Sequence, residues 1–361
     1  MLVAGNVSIY QNKKYGALLR IQYIAEFEHF NMTGATTVLK PFPQESIKLD
    51  QFRTDVIEGL TAKRKKLLSK YFYDHRGDQL FQQIMAMPEY YLTKCELDIF
   101  QNRTADLASA ICFRESPFDL IELGAGDAVK SSFLLKFLLD QEADFTYRPI
   151  DISGNILSEL GERLAMQLPA LKIDSLQGEY FEMLRQATGS NNRRKVVLFL
   201  GGNIGNMEIG EAGLFCRELR SHLNAGDMAL IGFDLKKNPQ QILDAYNDRA
   251  GITAAFNLNL LSRINRELGA NMDTDNFSHY QNYDPETGAC RSYLVSLVRQ
   301  QVDIAGNRIV FEENELIDME VSQKFSRQQI GELAIRSGFM QLREISDSKN
   351  WFIDALWMAG H

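Results

Sequence analysis

Between residues 118 and 236 the chain alternates short, nearly unbroken apolar runs with stretches whose apolar positions recur at helical spacing. Runs near 118–123, 145–150, 171–176, 195–200 and 227–233 are expected as buried strands, and Phe133, Leu134, Phe137 and Leu138 mark a helix after the first. Alternation of this kind builds a mainly parallel sheet covered by helices on both faces. Upstream, Leu67, Leu68, Tyr71 and Phe72, then Leu80, Phe81, Ile84 and Met85, fall at helical spacing around a polar turn at 73–77. Residues 88–93 break the next helix and leave Tyr90 and Tyr91 in a loop. Downstream of Pro239 the pattern predicts helix over 240–268, strand-like stretches at 290–302 and 307–311, a helix over 325–337 closed by Gly338, and a last strand at 351–358.

This order predicts an α/β fold of five parallel strands with an antiparallel addition, which resembles the Rossmann-like architecture of class I methyltransferases. Residues 116–238 form the expected Rossmann-like core, 40–115 a helical part contributing to a substrate lid, and 239–290 an inserted lid segment. Residues 291–361 are expected to complete the core. Residues 1–39 read as a disordered extension, with Met32 as an alternative start.

Charge and composition narrow the function. Thirty-nine basic residues against 47 acidic ones, a net −8, argue against a nucleic-acid footprint. The single strong basic run, Lys63-Arg64-Lys65-Lys66, is expected on the solvated face of an amphipathic helix. Four scattered cysteines support neither a disulfide framework nor a zinc site, so reduced thiols and a cytoplasmic location are expected. Five histidines without metal-ligand spacing imply no catalytic metal. No apolar stretch reaches the roughly 18 residues of a membrane span, and the oligomeric state is not legible.

Candidate chemistry concentrates at the ends of the expected strands. The first run closes on Glu122-Leu123-Gly124-Ala125-Gly126, a tight turn at which two glycines let backbone approach a ligand. It lacks the third glycine of a dinucleotide turn, and an E-L-G-x-G strand end is typical of S-adenosylmethionine binding. The second strand ends at Asp151, an acid positioned to accept from ribose hydroxyls or, alternatively, to cap the following helix, as Ser153 also could. Glu179 and Tyr180, after the third strand, are candidates for the adenine edge and face, with core packing as the competing reading for the aromatic. The fourth strand opens into Gly201-Gly202-Asn203-Ile204-Gly205-Asn206, a loop where doubly wound folds put ligands.

Several longer motifs resemble the histidine-specific methyltransferases of ergothioneine biosynthesis. They are Tyr71-Phe72-Tyr73-Asp74-x-Arg76-Gly77-x-x-Leu80-Phe81, Pro88-Glu89-Tyr90-Tyr91-Leu92-Thr93, the 122–126 turn with Lys130, and the 199–206 stretch. Further matches run over 245–257 and through Glu320-x-Ser322-x-Lys324-Phe325. The resemblance spans roughly residues 50–360 and implies methyl transfer from S-adenosylmethionine to the α-amino nitrogen of an amino acid, with a small auxiliary substrate-binding domain. It implies cofactor contacts at Glu122, Gly124, Gly126, Lys130, Asp151, Glu179, Tyr180 and Gly201. Asn206 and Tyr246 are implied to orient the amino acid's head group, and one of Tyr90 and Tyr91 to line the same pocket. No general base is evident, so water-mediated proton loss is expected.

The resemblance also implies a glutamate followed two residues later by a serine, both gripping imidazole. Aligned on Leu294 in the strand at 290, this chain offers Arg291 and Tyr293 instead. A guanidinium there suits a carboxylate-bearing side chain better than histidine, so the expected substrate is an amino acid other than histidine. Four alternatives stay open. Arg291 faces solvent, the alignment slips by two residues, a residue outside the strand at 290 supplies the missing glutamate in a genuine histidine methyltransferase, or the chain is a catalytically idle S-adenosylmethionine-binding homologue.

Overall fold

A computed structural model describes residues 43–112 and 116–360; the expectations for residues 1–39 and for Met32 lie outside the described residues. The chain runs through α1 (Pro43–Thr61), β1 (Lys65–Lys66), α2 (His75–Ala86), α3 (Leu92–Asn102), α4 (Thr104–Ile111), β2 (Phe118–Leu123) and α5 (Ser131–Asp140). It continues through β3 (Phe145–Asp151), α6 (Gly154–Gln167), β4 (Leu176–Gln177), α7 (Tyr180–Gly189), β5 (Arg194–Phe199), α8 (Ile209–Ser221) and β6 (Met228–Asp234). The remainder comprises α9 (Pro239–Tyr246), α10 (Ile252–Leu268), β7 (Phe277–Tyr283), β8 (Ala289–Ser296), β9 (Gln300–Ile304), β10 (Asn307–Phe311), β11 (Leu316–Gln323), α11 (Arg327–Arg336), β12 (Phe339–Ser346) and β13 (Phe352–Ala359).

Seven strands form the main sheet in the order β12-β13-β6-β5-β2-β3-β4. The five from β6 to β4 are parallel, and β13 and β12 add antiparallel at the β6 edge. This is the class I methyltransferase arrangement. Its strands read as continuous apolar runs because both faces are covered. Leu120, Val196, Leu198, Leu230 and Leu356 face one core, while Ile121, Val197, Phe199, Ile231 and Trp357 face the other. Period-two alternation thus survives inside runs that look uniform. The third expected strand shrinks to β4 and one bridge from Tyr147 to Ile173. It has a single neighbour, and its outer positions Lys172 and Asp174 are exposed.

A second sheet, in the order β1-β11-β8-β7, carries its own core with α1, α2 and α10. Residues 291–323, the first part of the stretch expected to complete the core, lie instead in this second sheet and in the β9–β10 hairpin. Only α11, β12 and β13 return to the first. The basic run is likewise displaced from the helix expected for it. Lys65 and Lys66 form β1 beside Ile317 and Asp318, Arg64 pairs with Asp318 at 2.6 Å, and Lys65 pairs with Glu315 at 2.7 Å. The apolar positions around Leu67 and Phe72 fill the third core from a strand end and a 3₁₀ turn (Ser69–Tyr71) rather than from a helix.

Trp357 is fully buried between Phe233 and Phe339, with ring centroids 5.6 Å from each. It therefore staples the antiparallel edge to the parallel strands. Trp357→Ala should lower the free energy of unfolding by about 3–5 kcal/mol in a denaturant titration; a loss under about 1 kcal/mol would mean the edge is held by other contacts.

Candidate active site

The turn after β2 is tied to β3 by its own backbone. The N–H groups of Gly124 and Ala125 both donate to the Ile150 carbonyl, at 2.8 and 3.1 Å. Asp151, at the end of β3, accepts from Gly126 N–H at 3.2 Å through one oxygen and from Ser153 N–H at 3.0 Å through the other. Ser153 itself caps α6, accepting from Ile156 N–H at 3.4 Å. Capping and strand-tip roles therefore fall on neighbouring residues. Gly124 has φ +68°, and a Cβ there would lie 2.7 Å from the Tyr180 hydroxyl. The Tyr180 side chain closes over the turn, and only glycine leaves it room. Glu179 is the exposed residue immediately before α7.

Beneath this cradle lies a buried charge cluster. Glu96 on α3 is ion-paired with Lys130 and accepts from the Gly201 N–H at 2.7 and 2.9 Å, so it holds the turn after β5. Burial alone would pull the Lys130 ammonium down, but Glu96, Asp354 and Glu122 hold it above its usual range. Glu122 is turned inward and accepts from the Tyr147 hydroxyl at 2.5 Å. Burial pushes its carboxyl up to about 7, against the pull of Tyr147, Ser131 and Lys130.

A pocket opens beside these strand tips, bounded by Gly201, Gly202, Asn203 and Asn206 from the turn after β5 and by Tyr246, Thr253 and Phe256 from α9 and α10. Phe81 on α2, with Tyr73 and Tyr90 from the loops on either side of that helix, closes it, and Glu320 and Ser322 reach it from β11. Gly205 makes the approach possible, since a Cβ there would sit 2.8 Å from the Gln323 carbonyl. A β-bulge at 318–320 interrupts β11 just before Glu320, a place where an extra residue re-aims side chains. Burial pushes the Glu320 carboxyl up to about 7, opposed by Lys324.

Of the two adjacent tyrosines, Tyr90 lines the pocket and meets the Tyr246 ring edge-on at 6.0 Å. Tyr91 points elsewhere and donates to Asp234 at 2.8 Å. The residues expected to grip the side chain, Arg291 and Tyr293, lie outside the pocket. Arg291 pairs across the sheet with Val321, the residue between Glu320 and Ser322, so it projects from the opposite face. Its guanidinium meets Glu208 at 2.5 Å, and Tyr293 stacks on Tyr280 at 5.9 Å. The glutamate and serine two residues apart that do enter the pocket are Glu320 and Ser322.

The family model described as histidine-specific methyltransferase, SAM-dependent, matches residues 52–359. The chain belongs to that family. It is 34% identical over 294 residues to a histidine N-alpha-methyltransferase of Mycolicibacterium smegmatis, covering 81% of this chain and 90% of that protein. A histidine N-alpha-methyltransferase of Mycobacterium tuberculosis is 33% identical over 302 residues, covering 83% of this chain and 92% of that protein. A 4-dimethylallyltryptophan N-methyltransferase of Claviceps purpurea is 27% identical over 207 residues, or 55% of this chain and 59% of that protein. As a member of this family the chain is an S-adenosylmethionine-dependent N-methyltransferase, and the cradle fits that cofactor: two strand tips, a turn with glycine at 124 and 126, and an acid at the end of the second strand. Among the described residues, no helix is long and apolar enough to cross a membrane.

Tyr73, Thr253, Phe256, Glu320 and Ser322 of the pocket, and Lys324 behind it, are not among the site residues expected from the sequence. All six stand inside the stretches that carry the family resemblance, and Glu320 and Ser322 have the i, i+2 spacing of one strand face. For the cofactor cradle, Gly124→Ala should raise the dissociation constant of S-adenosylhomocysteine about tenfold or more, through the positive φ and the Tyr180 contact. Adding Tyr180→Phe, which removes the clashing oxygen, should restore part of the affinity in a calorimetric titration. Unchanged binding by the single variant would separate the turn from the cofactor.

Proposed function

We propose that the enzyme transfers a methyl group from S-adenosylmethionine to the α-amino nitrogen of histidine. The observation that carries this reading is the pair Glu320 and Ser322 on the pocket face of β11, with Arg291 on the opposite face. Arg291, whose guanidinium speaks against histidine only if it enters the pocket, lies on the other face of the sheet, and Glu320 offers the pocket a carboxylate from the neighbouring strand. A carboxylate and a hydroxyl suit the two ring nitrogens, one an N–H donor and the other a lone pair or second donor.

In this reading Gly124, Gly126, Asp151, Glu179 and Tyr180 hold the nucleoside, while Gly201 and Lys130 support the turn beneath it. S-adenosylmethionine supplies an electrophilic methyl group on sulfur. Tyr246 and Asn206 hold the amino acid's head group, Tyr73 and Tyr90 wall the pocket, and Glu320 with Ser322 fix the ring. The nitrogen lone pair needs alignment more than covalent help, and orientation of this kind can supply most of the rate enhancement. Proton loss from the ammonium proceeds through water.

The sign of the pH dependence follows from Glu320. Its carboxyl is raised to about 7, so it is ionised, and able to accept from a ring N–H, only as pH rises through that value. Histidine affinity in the presence of S-adenosylhomocysteine should therefore increase between about pH 6 and about pH 8. Glu320→Gln should weaken histidine binding about ten- to a hundredfold and remove the part of that slope due to the carboxylate. Failure of the wild-type protein to bind histidine, or a variant indistinguishable from it, would overturn the assignment.

A further inference from the structure

Behind two hydroxyls of the pocket, at the junction of the two sheets, lie buried ionised side chains, Lys324 and Asp234, that the proposed chemistry leaves without a role. Lys324, which immediately follows β11, is fully buried. Its ammonium has three N–H bonds and no lone pair. It meets three acceptors: Asp234 Oδ2 at 2.8 Å, Tyr246 Oη at 2.7 Å and Ser322 Oγ at 2.7 Å. Asp234 also pairs with Lys237 and accepts from the Tyr91 hydroxyl at 2.8 Å. Two lysines thus share one aspartate, and the group carries net positive charge.

Counting protons fixes the polarity of the hydroxyl pair. Tyr246 and Ser322 both accept from Lys324, so each keeps its own hydrogen to donate. Their oxygens lie 2.7 Å apart, and one hydrogen can occupy that edge. The second must leave the triangle, and both side chains line the amino-acid pocket. We infer that Lys324, held by Asp234, is a positioning residue that compels the Tyr246–Ser322 pair to present a hydroxyl donor, backed by positive charge, to the carboxylate of the bound amino acid. Without that ammonium, Tyr246 and Ser322 are free to satisfy each other or to turn a lone pair outward, which a carboxylate would not tolerate. The inference rests on the reading of this pocket as an amino-acid site and assigns the origin of its preference for a free carboxylate.

The test compares L-histidine with L-histidinamide, which keeps the ring and the amine but replaces the carboxylate with a neutral amide. Dissociation constants for both are measured by calorimetry with S-adenosylhomocysteine present. The wild-type protein should prefer histidine, and Lys324→Met should reduce that preference about tenfold or more, the scale of a lost hydrogen bond to a charged group. Affinity for S-adenosylhomocysteine should be unchanged, showing that the main-sheet half of the site survives the loss of the ion pair. Asp234→Asn, nearly isosteric, should lower the preference in the same direction and serves if Lys324→Met does not fold. A merely structural lysine would weaken both ligands equally, and an unchanged ratio overturns the inference while leaving the histidine reading intact. If the wild-type protein binds neither ligand, the histidine reading fails and the inference falls with it.

Discussion

Asp234 and Lys324 form the contact on which the arrangement of the two sheets turns. Asp234 is the last residue of β6 in the main sheet, and Lys324 is the first residue beyond β11 in the second. Around their ion pair the backbones also join: Phe325 N–H donates to the Asp234 carbonyl and Lys236 N–H to the Phe325 carbonyl, both at 2.9 Å. Burial pushes the Asp234 carboxyl up, but Lys324 and Lys237 together pull it below the usual carboxylate range. A buried ion stripped of one partner costs about 3–5 kcal/mol, so the sheets are held in one relative position rather than a range of them. Tyr246, Ser322 and Tyr91 take their places from the same charges.

That junction divides the work of the site. At the strand tips of the main sheet the glycine turn and Asp151 bring backbone and carboxylate together, the arrangement proposed to take the nucleoside. The bulged strand of the second sheet offers side chains of opposite character along one edge, with the Glu320 carboxyl facing the pocket and Lys324 behind its hydroxyls. A substrate with an anionic end and a nitrogen-bearing ring matches that polarity. The Asn206 turn passes close against β11 because Gly205 has no side chain, which lets the two halves share one pocket.

Much of the main sheet was legible because its strands are buried on both sides and carry dense apolar runs. The glycine turn and Asp151 were legible for a related reason, since strand–turn–helix geometry puts them at a strand end wherever the run stops. The second sheet was harder to read. In β7 the exposed positions Ser278, Tyr280 and Asn282 alternate with few apolar partners, and in β11 the bulge breaks the period just before the residues that matter. Arg291 shows what local spacing does not carry: along a strand neighbouring side chains face opposite ways, and this residue of β8 faces away from the pocket that Glu320 and Ser322 line from β11. The separate destinations of Tyr90 and Tyr91 depend on a contact with Asp234, 143 residues further along the chain from Tyr91, which local pattern does not carry.

A crystal structure of the enzyme with S-adenosylhomocysteine and histidine bound together tests this arrangement most directly. The nucleoside should lie between the Gly124 turn and Asp151, the histidine ring within hydrogen-bond reach of Glu320 and Ser322, and its carboxylate against Tyr246, with Arg291 still paired to Glu208. Histidine seated on the Arg291 and Tyr293 face, or nucleoside density away from the strand tips, would contradict it.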